Sequence, residues 1–356
     1  MTTTRRLAVV SAVVASAIAA VFVVARVAGQ EVPPPTDPRP WNVFVDTYWP
    51  PDSSLEATAN VSDGQAWAAF GDDPTYSHPE HFYGGTVEFV YRAQRPLYGW
   101  LVWLGAGGQG GAVAWSLAVL TCLAVGALAA AAVVLADRIG RVRRYAPLVC
   151  LMPGVFLSVV LLHPEPLSVA LGLAGLTFWL SEPRRVWLAV LAFTLAALGR
   201  ELLLLFPLGL ALQELIVRRE RPGRLVPLTV PFVAYIAWIA SLRVRFGSWP
   251  SDRQGLSSYG WPFVGWYQSI GDLDPIRTGS YVLGVVLLVL AVRRDPRSPL
   301  TWIALGLALS TVFMGSYVLG TEPYRPLLAM YVLGLLAALP REQPIRRAVP
   351  DRRIRA

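Results

Sequence analysis

Long runs of apolar residues, separated by short polar segments, follow one another along most of this chain. A hydrocarbon core about 30 Å thick needs about 20 apolar helical residues, and somewhat fewer where the bilayer thins around a bundle. The pattern therefore predicts an all-α fold, a polytopic bundle of about ten membrane-spanning helices. The predicted spans are 7–28, 110–136, 145–162, 166–180, 186–199, 202–217, 225–242, 279–292, 299–319 and 326–340.

The spans divide the chain into four regions. Residues 1–28 form a first anchor, which the length of its apolar run favours over a cleaved signal peptide. Residues 29–109 form a long outer loop that ends in an apolar, glycine-interrupted stretch, 97–109, predicted as an interfacial helix. The bundle covers 110–340 and includes a second outer loop, 243–278. A basic tail, 341–356, follows.

Arginines are distributed unevenly among the predicted loops. With a cytoplasmic N-terminus, the cytoplasmic segments hold 21 of the 31 basic residues, all arginine, while 16 of the 23 acidic residues fall outside. Because arginine is retained on the cytoplasmic side, this distribution favours ten spans with both termini inside. Arginine clusters that face anionic lipid account for the net charge of +8, so no nucleic-acid partner is expected.

Composition agrees with a membrane protein and gives little sign of a metal site. Hydrophobic residues make up 54% of the chain and charged residues 15%, whereas soluble domains need more polar surface. Cys122 and Cys150 lie in apolar runs, and His78, His81 and His163 lack a metal-binding spacing on one helix. No metal ligand is predicted. A divalent cation held by carboxylates remains an open possibility for the cofactor.

Charged residues cluster in three tight turns at the predicted outer ends of spans, within "LHPEPLS", "LGRELLLLFP" and "GTEPYRPLL". Charges close to hydrocarbon are costly, so they pair with one another or face a polar cavity. Two interpretations stay open: local pairs that close helix ends, Arg200 with Glu201 and Glu322 with Arg325, or the walls of one site. The residues concerned are His163, Glu165, Arg200, Glu201, Glu322 and Arg325.

The first outer loop carries further chemistry. It contains "FVDTYWP" with Asp46, "SDGQAW" with Asp63, and "VYRAQRPLYGWL" with Arg92 and Arg95. A carboxylate can take a proton from an attacking hydroxyl, and the guanidinium fork matches phosphate oxygens. Such groups at the outer face suit an amphiphile whose phosphate lies at headgroup level.

These motifs resemble those of bacterial polytopic membrane proteins of the C-type glycosyltransferase (GT-C) superfamily, of mannosyltransferase-like type. The resemblance rests on "SDGQAWAAFGDDP" with "YRAQRPLYGWL", then "HPEPLS", "GRELLLLFPLGLAL" and "EPYRPLLAMYVL", and covers about residues 60 to 340. The usual aromatic after Gly-Gln stands one place later, because Ala66 precedes Trp67. This departure leaves the identity of the catalytic carboxylate open.

The resemblance implies a GT-C-like helical bundle in the bacterial cytoplasmic membrane with its active site at the extracytoplasmic face. It implies a polyprenyl-phosphate sugar donor and a glycan, lipid or protein acceptor. Asp63 would be the general base, with Asp46 the second candidate, and Arg92 and Arg95 would bind the lipid phosphate. The other expected substrate-binding residues are Gln65, Tyr91, His163, Glu165, Arg200, Glu201, Glu322 and Arg325.

Two other functions compete with glycosyl transfer. A transporter or flippase of a lipid-linked sugar would use the same arginines, but repeats or charges at mid-membrane depth usually mark such proteins. A non-catalytic partner subunit with the same fold would tolerate Asp63→Asn, whereas the enzyme would lose transfer.

Overall fold

The structure is a computed structural model that describes residues 3–32, 51–60, 64–82, 85–252, 261–272, 274–315, 319 and 324–342, with the backbone alone at 81, 272, 324 and 326. Helices account for most of these residues, and no β-strand forms among them. The predicted all-α fold is confirmed for this part of the chain.

The α-helices within the described ranges vary from 6 to 26 residues in length. They are α1 (Thr3–Ala28), α2 (Ser54–Ala59), α3 (Gly64–Asp72), α4 (Gly85–Ala93), α5 (Pro96–Ala106), α6 (Val113–Arg138), α7 (Pro153–Val160), α8 (Glu165–Trp179), α9 (Val186–Gly199), α10 (Leu205–Ile216), α11 (Val230–Phe246), α12 (Val264–Ser269), α13 (Pro275–Arg294), α14 (Pro299–Thr311) and α15 (Tyr324–Ala338). Short 3-10 helices cover Pro79–His81, Gly110–Ala112, Arg143–Leu151, Glu201–Leu204, Pro222–Thr229, Pro250–Asp252 and Ile270–Asp272.

Several helices are long and apolar enough to cross a membrane. Within the described residues there are 4: Thr3–Ala28, Gly110–Arg138, Pro222–Phe246 and Pro275–Arg294. A bent pair, Arg143–Leu151 with α7, raises the number to 5 if it counts as one span. Shorter apolar helices lie at Val186–Gly199, Pro299–Thr311 and Leu327–Ala338. The larger total of about ten spans stays a prediction.

Prolines explain why the predicted span 145–162 forms as two pieces. Pro147 lies inside the 3-10 helix and has no N–H to donate, and Met152 has an extended backbone just before Pro153. A residue that precedes proline avoids the α region, so one helix ends at Met152 and α7 begins at Pro153. The two pieces meet at a bend of 53°.

Small residues let α1 pack closely along α6. The buried side of α1 consists of Ala8, Ser11, Ala15, Ala19 and Val23, at helical spacing. Opposite them, a Cβ on Gly126 of α6 would lie 2.7 Å from the backbone oxygen of Ala12, so glycine permits the close approach. Close packing of small residues is a common way to hold helices together in a membrane. This contact supports the interpretation of α1 as an anchor.

One end of the bundle gathers segments that the arginine distribution assigns to the cytoplasm. Arg141, after α6, donates to Asp295 Oδ2 at 2.6 Å and to the carbonyl oxygen of Leu339 at 2.9 Å. Arg143 donates to the hydroxyl of Thr4 at 2.9 Å. These bonds place the start of α1 and the ends of α6, α13 and α15 side by side.

Candidate functional site

Glu165 lies buried at the start of α8 and forms ion pairs with arginines on two other segments. Arg325 donates to Glu165 Oε1 from Nε at 3.0 Å and from Nη2 at 2.9 Å. Arg200 Nη1 lies 3.4 Å from the same oxygen. Arg325 is at the start of α15, about 21 Å along that helix from the end that contacts Arg141. The cluster therefore occupies the end of the bundle opposite the cytoplasmic segments.

A second ion pair, with a buried arginine and a partly buried carboxylate, lies beside the first. Arg95, just before α5, donates from Nε and Nη2 to the two oxygens of Glu201, each at 2.6 Å. Two parallel bonds of this kind fix both position and orientation. Burial alone would raise the pKa of the Glu201 carboxyl, but Arg95 and then Arg200 outweigh it and hold that pKa at about 2. Glu201 is therefore a carboxylate at neutral pH.

Arg200 connects the two pairs. Its backbone is extended, with φ of −157° and ψ of 114°, between the end of α9 and the 3-10 helix Glu201–Leu204. Successive side chains of an extended chain point to opposite sides, so Arg200 reaches Glu165 while Glu201 reaches Arg95. Gly199 permits the close approach of α9 to α8, because a Cβ there would require the Ser168 hydroxyl to move.

The segment "YRAQR" is held in place from several directions. Arg92 Nε donates to Glu88 Oε1 at 2.6 Å, one helical turn earlier, and both side chains are buried. The guanidinium of Arg95 lies 5.4 Å from the centre of the Tyr91 ring. Gln94 accepts a bond from the Tyr235 hydroxyl at 2.8 Å. These contacts join α4 to α11 and to the ion pair of Glu201.

The residue that follows Asp63 packs against the turn that leads to His163. Gly64 begins α3, and a Cβ there would lie 2.6 Å from the Ala59 carbonyl oxygen and 3.3 Å from that of Leu161. The next residue, Gln65, donates through its side-chain amide to the carbonyl of Asn60. The Gly-Gln of the motif therefore fixes the start of α3 against α2 and the turn before α8.

The space between the ion pairs is small. A cavity of about 10 Å³ is lined by Glu165, Ser168, Arg200, Arg325 and neighbouring apolar side chains, which is enough for about one water molecule. The second oxygen of Glu165, Oε2, is buried and accepts no hydrogen bond from the described residues. His163 Nδ1 lies 3.9 Å from that oxygen. A sugar phosphate does not fit between these side chains as they stand.

The residues predicted from sequence divide into two groups. Among the described ones, the structure brings Arg95, His163, Glu165, Arg200, Glu201 and Arg325 into one cluster, and places Tyr91 and Arg92 on the adjacent helix and Gln65 on α3. The predicted bases Asp63 and Asp46, and Glu322 with its expected pairing to Arg325, lie outside the described residues. Their roles stay predictions.

The local pair between Arg200 and Glu201, one of the two interpretations that the sequence left open, does not form. The Glu201 carboxylate bonds instead to Arg95, 106 positions earlier in the chain, and Arg200 turns to Glu165. The extended backbone at Arg200 sends the two neighbouring side chains in opposite directions. Long-range closure of helix ends replaces the local closure that the sequence suggested.

Glu88 holds Arg92 in place and was not predicted from the sequence. It precedes Arg92 by four residues on α4, and charges at this spacing face each other on a helix. The signal was therefore present in "VEFVYRAQR" but becomes visible only once this segment is assigned to a helix. Gln94, which bonds Tyr235 on α11, offers no comparable signal.

No group of three or more metal-ligating side chains occurs in the part of the chain that the structure describes. Cys122 and Cys150 are free and half-buried, and the Cys150 thiol donates to the carbonyl of Val125 at 3.7 Å.

The arginines of the cluster can hold an anion by charge. The carboxylates of Glu165 and Glu201 fix the positions of these arginines.

No protein-family model, no curated protein and no solved structure matches the chain. The resemblance to C-type glycosyltransferases therefore rests on the quoted motifs.

Proposed function

We propose that this chain is a membrane glycosyltransferase that moves a sugar from a polyprenyl-phosphate-linked donor to an acceptor at the outer face of the bacterial cytoplasmic membrane. The observation that supports it best is the convergence of three arginines, Arg95, Arg200 and Arg325, from three distant segments. They meet the buried carboxylate of Glu165 and the partly buried carboxylate of Glu201 at one end of an apolar helical bundle. Guanidinium groups held in this way suit a phosphate at headgroup level.

The distribution of contacts supports the ten-span topology that this proposal needs. Ion pairs between described residues join segments assigned to the same side of the membrane. Arg141 with Asp295 and Arg184 with Glu214 lie at the end assigned to the cytoplasm. The pairs of Glu165 and Glu201 lie at the end assigned to the outside. Helices that run alternately up and down would produce this sorting.

Arg200 is the arginine that we assign first to the lipid phosphate. Arg95 already donates two hydrogen bonds to Glu201, and its side chain is only 5% exposed. Arg200 is 14% exposed and shares a carboxylate that Arg325 already contacts at shorter distance. An approaching phosphate can therefore replace Glu165 as the partner of Arg200. In this arrangement Arg92 and Arg95 position the site.

The proposed reaction is a displacement at the anomeric carbon of the donor sugar. The acceptor oxygen forms the new bond to that carbon, the bond to the phosphate oxygen breaks, and the phosphate leaves with the electron pair. A base takes the acceptor proton, and arginine stabilises the negative charge on the leaving phosphate. We assign the base to Asp63, with Asp46 as the second candidate, because Gly64 packs against the turn that carries His163 and Glu165.

The test is sugar transfer from radiolabelled polyprenyl-phosphate sugars in membranes that contain wild type or a variant at matched protein level. Asp63→Asn is expected to abolish transfer, and Asp46→Asn tests the second base. Asp52→Asn is the matched control, because Asp52 lies in the same outer loop and is exposed. Transfer retained by both Asp63→Asn and Asp46→Asn would contradict the assigned chemistry. Movement of the lipid-linked sugar across proteoliposomes, with no transfer by wild type, would establish the transporter instead.

A further inference from the structure

An apolar groove lies on the side of the bundle where α1 faces the bent segment. Its volume is about 630 Å³, and its walls come from α1, the 3-10 helix Arg143–Leu151 and α7. The rings of Phe22 and Phe156 meet edge to face at one end, with centroids 5.3 Å apart. Arg144 lines the groove near the other end, where its neighbour Arg143 bonds Thr4 at the start of α1.

The side chains of the described residues leave the groove open. Val14 and Ile18 of α1 and Leu151 of the 3-10 helix line it, and Leu151 is 75% exposed. Pockets of a few hundred Å³ with an apolar lining and few polar groups are typical of small-molecule sites. In a membrane, the molecule at hand to fill such a groove is a lipid chain.

The length of the groove matches one leaflet of the bilayer. The lining on α1 extends from Val10 to Phe22, which is about 18 Å of helix at 1.5 Å per residue. Half of a hydrocarbon core about 30 Å thick is about 15 Å. One acyl chain that enters from the end near Arg144 would therefore extend along α1 to the Phe22–Phe156 pair.

Charge decides which lipid suits the groove. Arg144 is exposed, lies 4.8 Å from the Tyr145 ring centre and has no carboxylate partner among the described residues. Its neighbours differ, because Arg141 is paired with Asp295 and Arg143 with Asp137. Within the described part of the chain, Arg144 is thus a cation without a counter-charge, at the end of the bundle assigned to the cytoplasm. Basic pockets between helices on that side suit anionic lipid headgroups.

We propose that this groove binds one anionic phospholipid of the cytoplasmic leaflet, with an acyl chain between α1 and α7 and the phosphate on Arg144. The proposal does not depend on glycosyl transfer, because Arg144, which would bind the headgroup, is at the opposite end of the bundle from the Glu165 and Glu201 ion pairs. The basic tail 341–356 is a poorer occupant, because its arginines would meet the positive charge of Arg144. A neutral lipid would leave that charge without a partner.

The test is native mass spectrometry of the full chain, purified in detergent and mixed with phosphatidylglycerol or phosphatidylcholine. Wild type is expected to retain one phosphatidylglycerol in preference to phosphatidylcholine. Arg144→Gln should weaken retention of phosphatidylglycerol about fivefold, from the loss of one arginine near the headgroup. Arg138→Gln is the matched control, because it removes the same charge from an exposed position at the same end, outside the groove.

A second pair of variants tests the chain-binding part without a change of charge. Val14→Trp fills the groove and should reduce retention of phosphatidylglycerol, whereas Val13→Trp, on an exposed position outside the groove, should not. Equal retention by wild type, Arg144→Gln and Val14→Trp would overturn the proposal. A loss in Val14→Trp with no change in Arg144→Gln would also overturn it, in favour of a neutral chain. An increase in retention after removal of residues 343–356 would identify the tail as the occupant.

Discussion

The ion pair between Arg95 and Glu201 gives the sharpest test of the site, and Glu201→Gln is the change that probes it. Glutamine keeps the size and one acceptor oxygen but removes the charge that neutralises Arg95. The Arg95 side chain is only 5% exposed, so it cannot exchange its partner for bulk water without movement of α5. The variant therefore leaves a buried cation that has lost the carboxylate charge of this ion pair.

The expected cost follows from two independent estimates. Removal of one partner of a buried ion pair typically destabilises a protein by about 3–5 kcal/mol. The pKa of Glu201 falls from an ordinary value of 4.5 to about 2, and a shift of that size corresponds to about 3 kcal/mol of preference for the charged form. We therefore expect Glu201→Gln to lower the free energy of unfolding by about 3 kcal/mol at pH 7.

The pH dependence of this effect has a defined sign. Because the folded-state pKa of Glu201 is depressed, its contribution is fully present above pH 4.5 and is lost as the pH falls towards 2. The stability difference between wild type and Glu201→Gln should therefore narrow over that interval. A difference that stays constant between pH 5 and pH 2.5 would refute the assignment of the stabilisation to the charged carboxylate.

Equilibrium unfolding in mixed detergent micelles, followed by helical circular dichroism, measures these differences. The double variant Arg95→Gln with Glu201→Gln should recover part of the loss, because neither charge is then left without its partner. Arg224→Gln serves as control, since the pair of Arg224 with Glu220 lies on the surface and its side chain is 69% exposed. Strict additivity of the Arg95 and Glu201 effects would also refute the reasoning.

Three further predictions follow from the same site. Gly64→Ala should destabilise the protein by about 1–3 kcal/mol through overpacking against the Ala59 carbonyl. Gly306→Ala is the control, because its Cβ would meet no atom within 4 Å. Thermal unfolding should show a lower midpoint for Gly64→Ala alone. Arg200→Gln should lower the rate of sugar transfer about 100-fold, with unchanged transfer as the contrary result. The pKa of Glu201 is about 2, so this carboxyl does not titrate above pH 5. The dependence of the transfer rate on pH above pH 5 should therefore be the same in Glu201→Gln as in wild type.

The apolar pattern predicted the helical fold and located most helices well, but it did not predict their interruptions. The run at 145–162 has enough hydrophobic residues for one span, yet Pro147 and Pro153 divide it. The run at 202–217 begins as a 3-10 helix, Glu201–Leu204, before α10 starts. Hydropathy measures how well a segment suits hydrocarbon and carries no information about the backbone path within it.

The sequence identified the charged residues that lie together in the structure, but it did not identify which of them form ion pairs with each other. Cost arguments for charges near hydrocarbon identified Glu165, Arg200, Glu201 and Arg325 without any coordinates. The choice of partner depends on which helices pack side by side, and Arg95 precedes Glu201 by 106 positions. Helix order around a bundle cannot be read from hydropathy, so the sequence left open whether Arg200 pairs locally with Glu201, and in the structure Glu201 pairs with Arg95 instead.

Stability alone does not explain why this end of the bundle is built from ion pairs. Replacement of a buried ion pair by well-packed apolar residues is often neutral or even stabilising. Arg325 already contacts the Glu165 oxygen that Arg200 shares at longer distance, so Arg200 adds a cation to a carboxylate that has a closer partner. A cation held in this way, partly exposed beside arginines that are fixed by their own ion pairs, can exchange the shared carboxylate for an anionic ligand. The proposed recognition of a phosphate would therefore explain Arg200, which closure of the helix ends alone does not need.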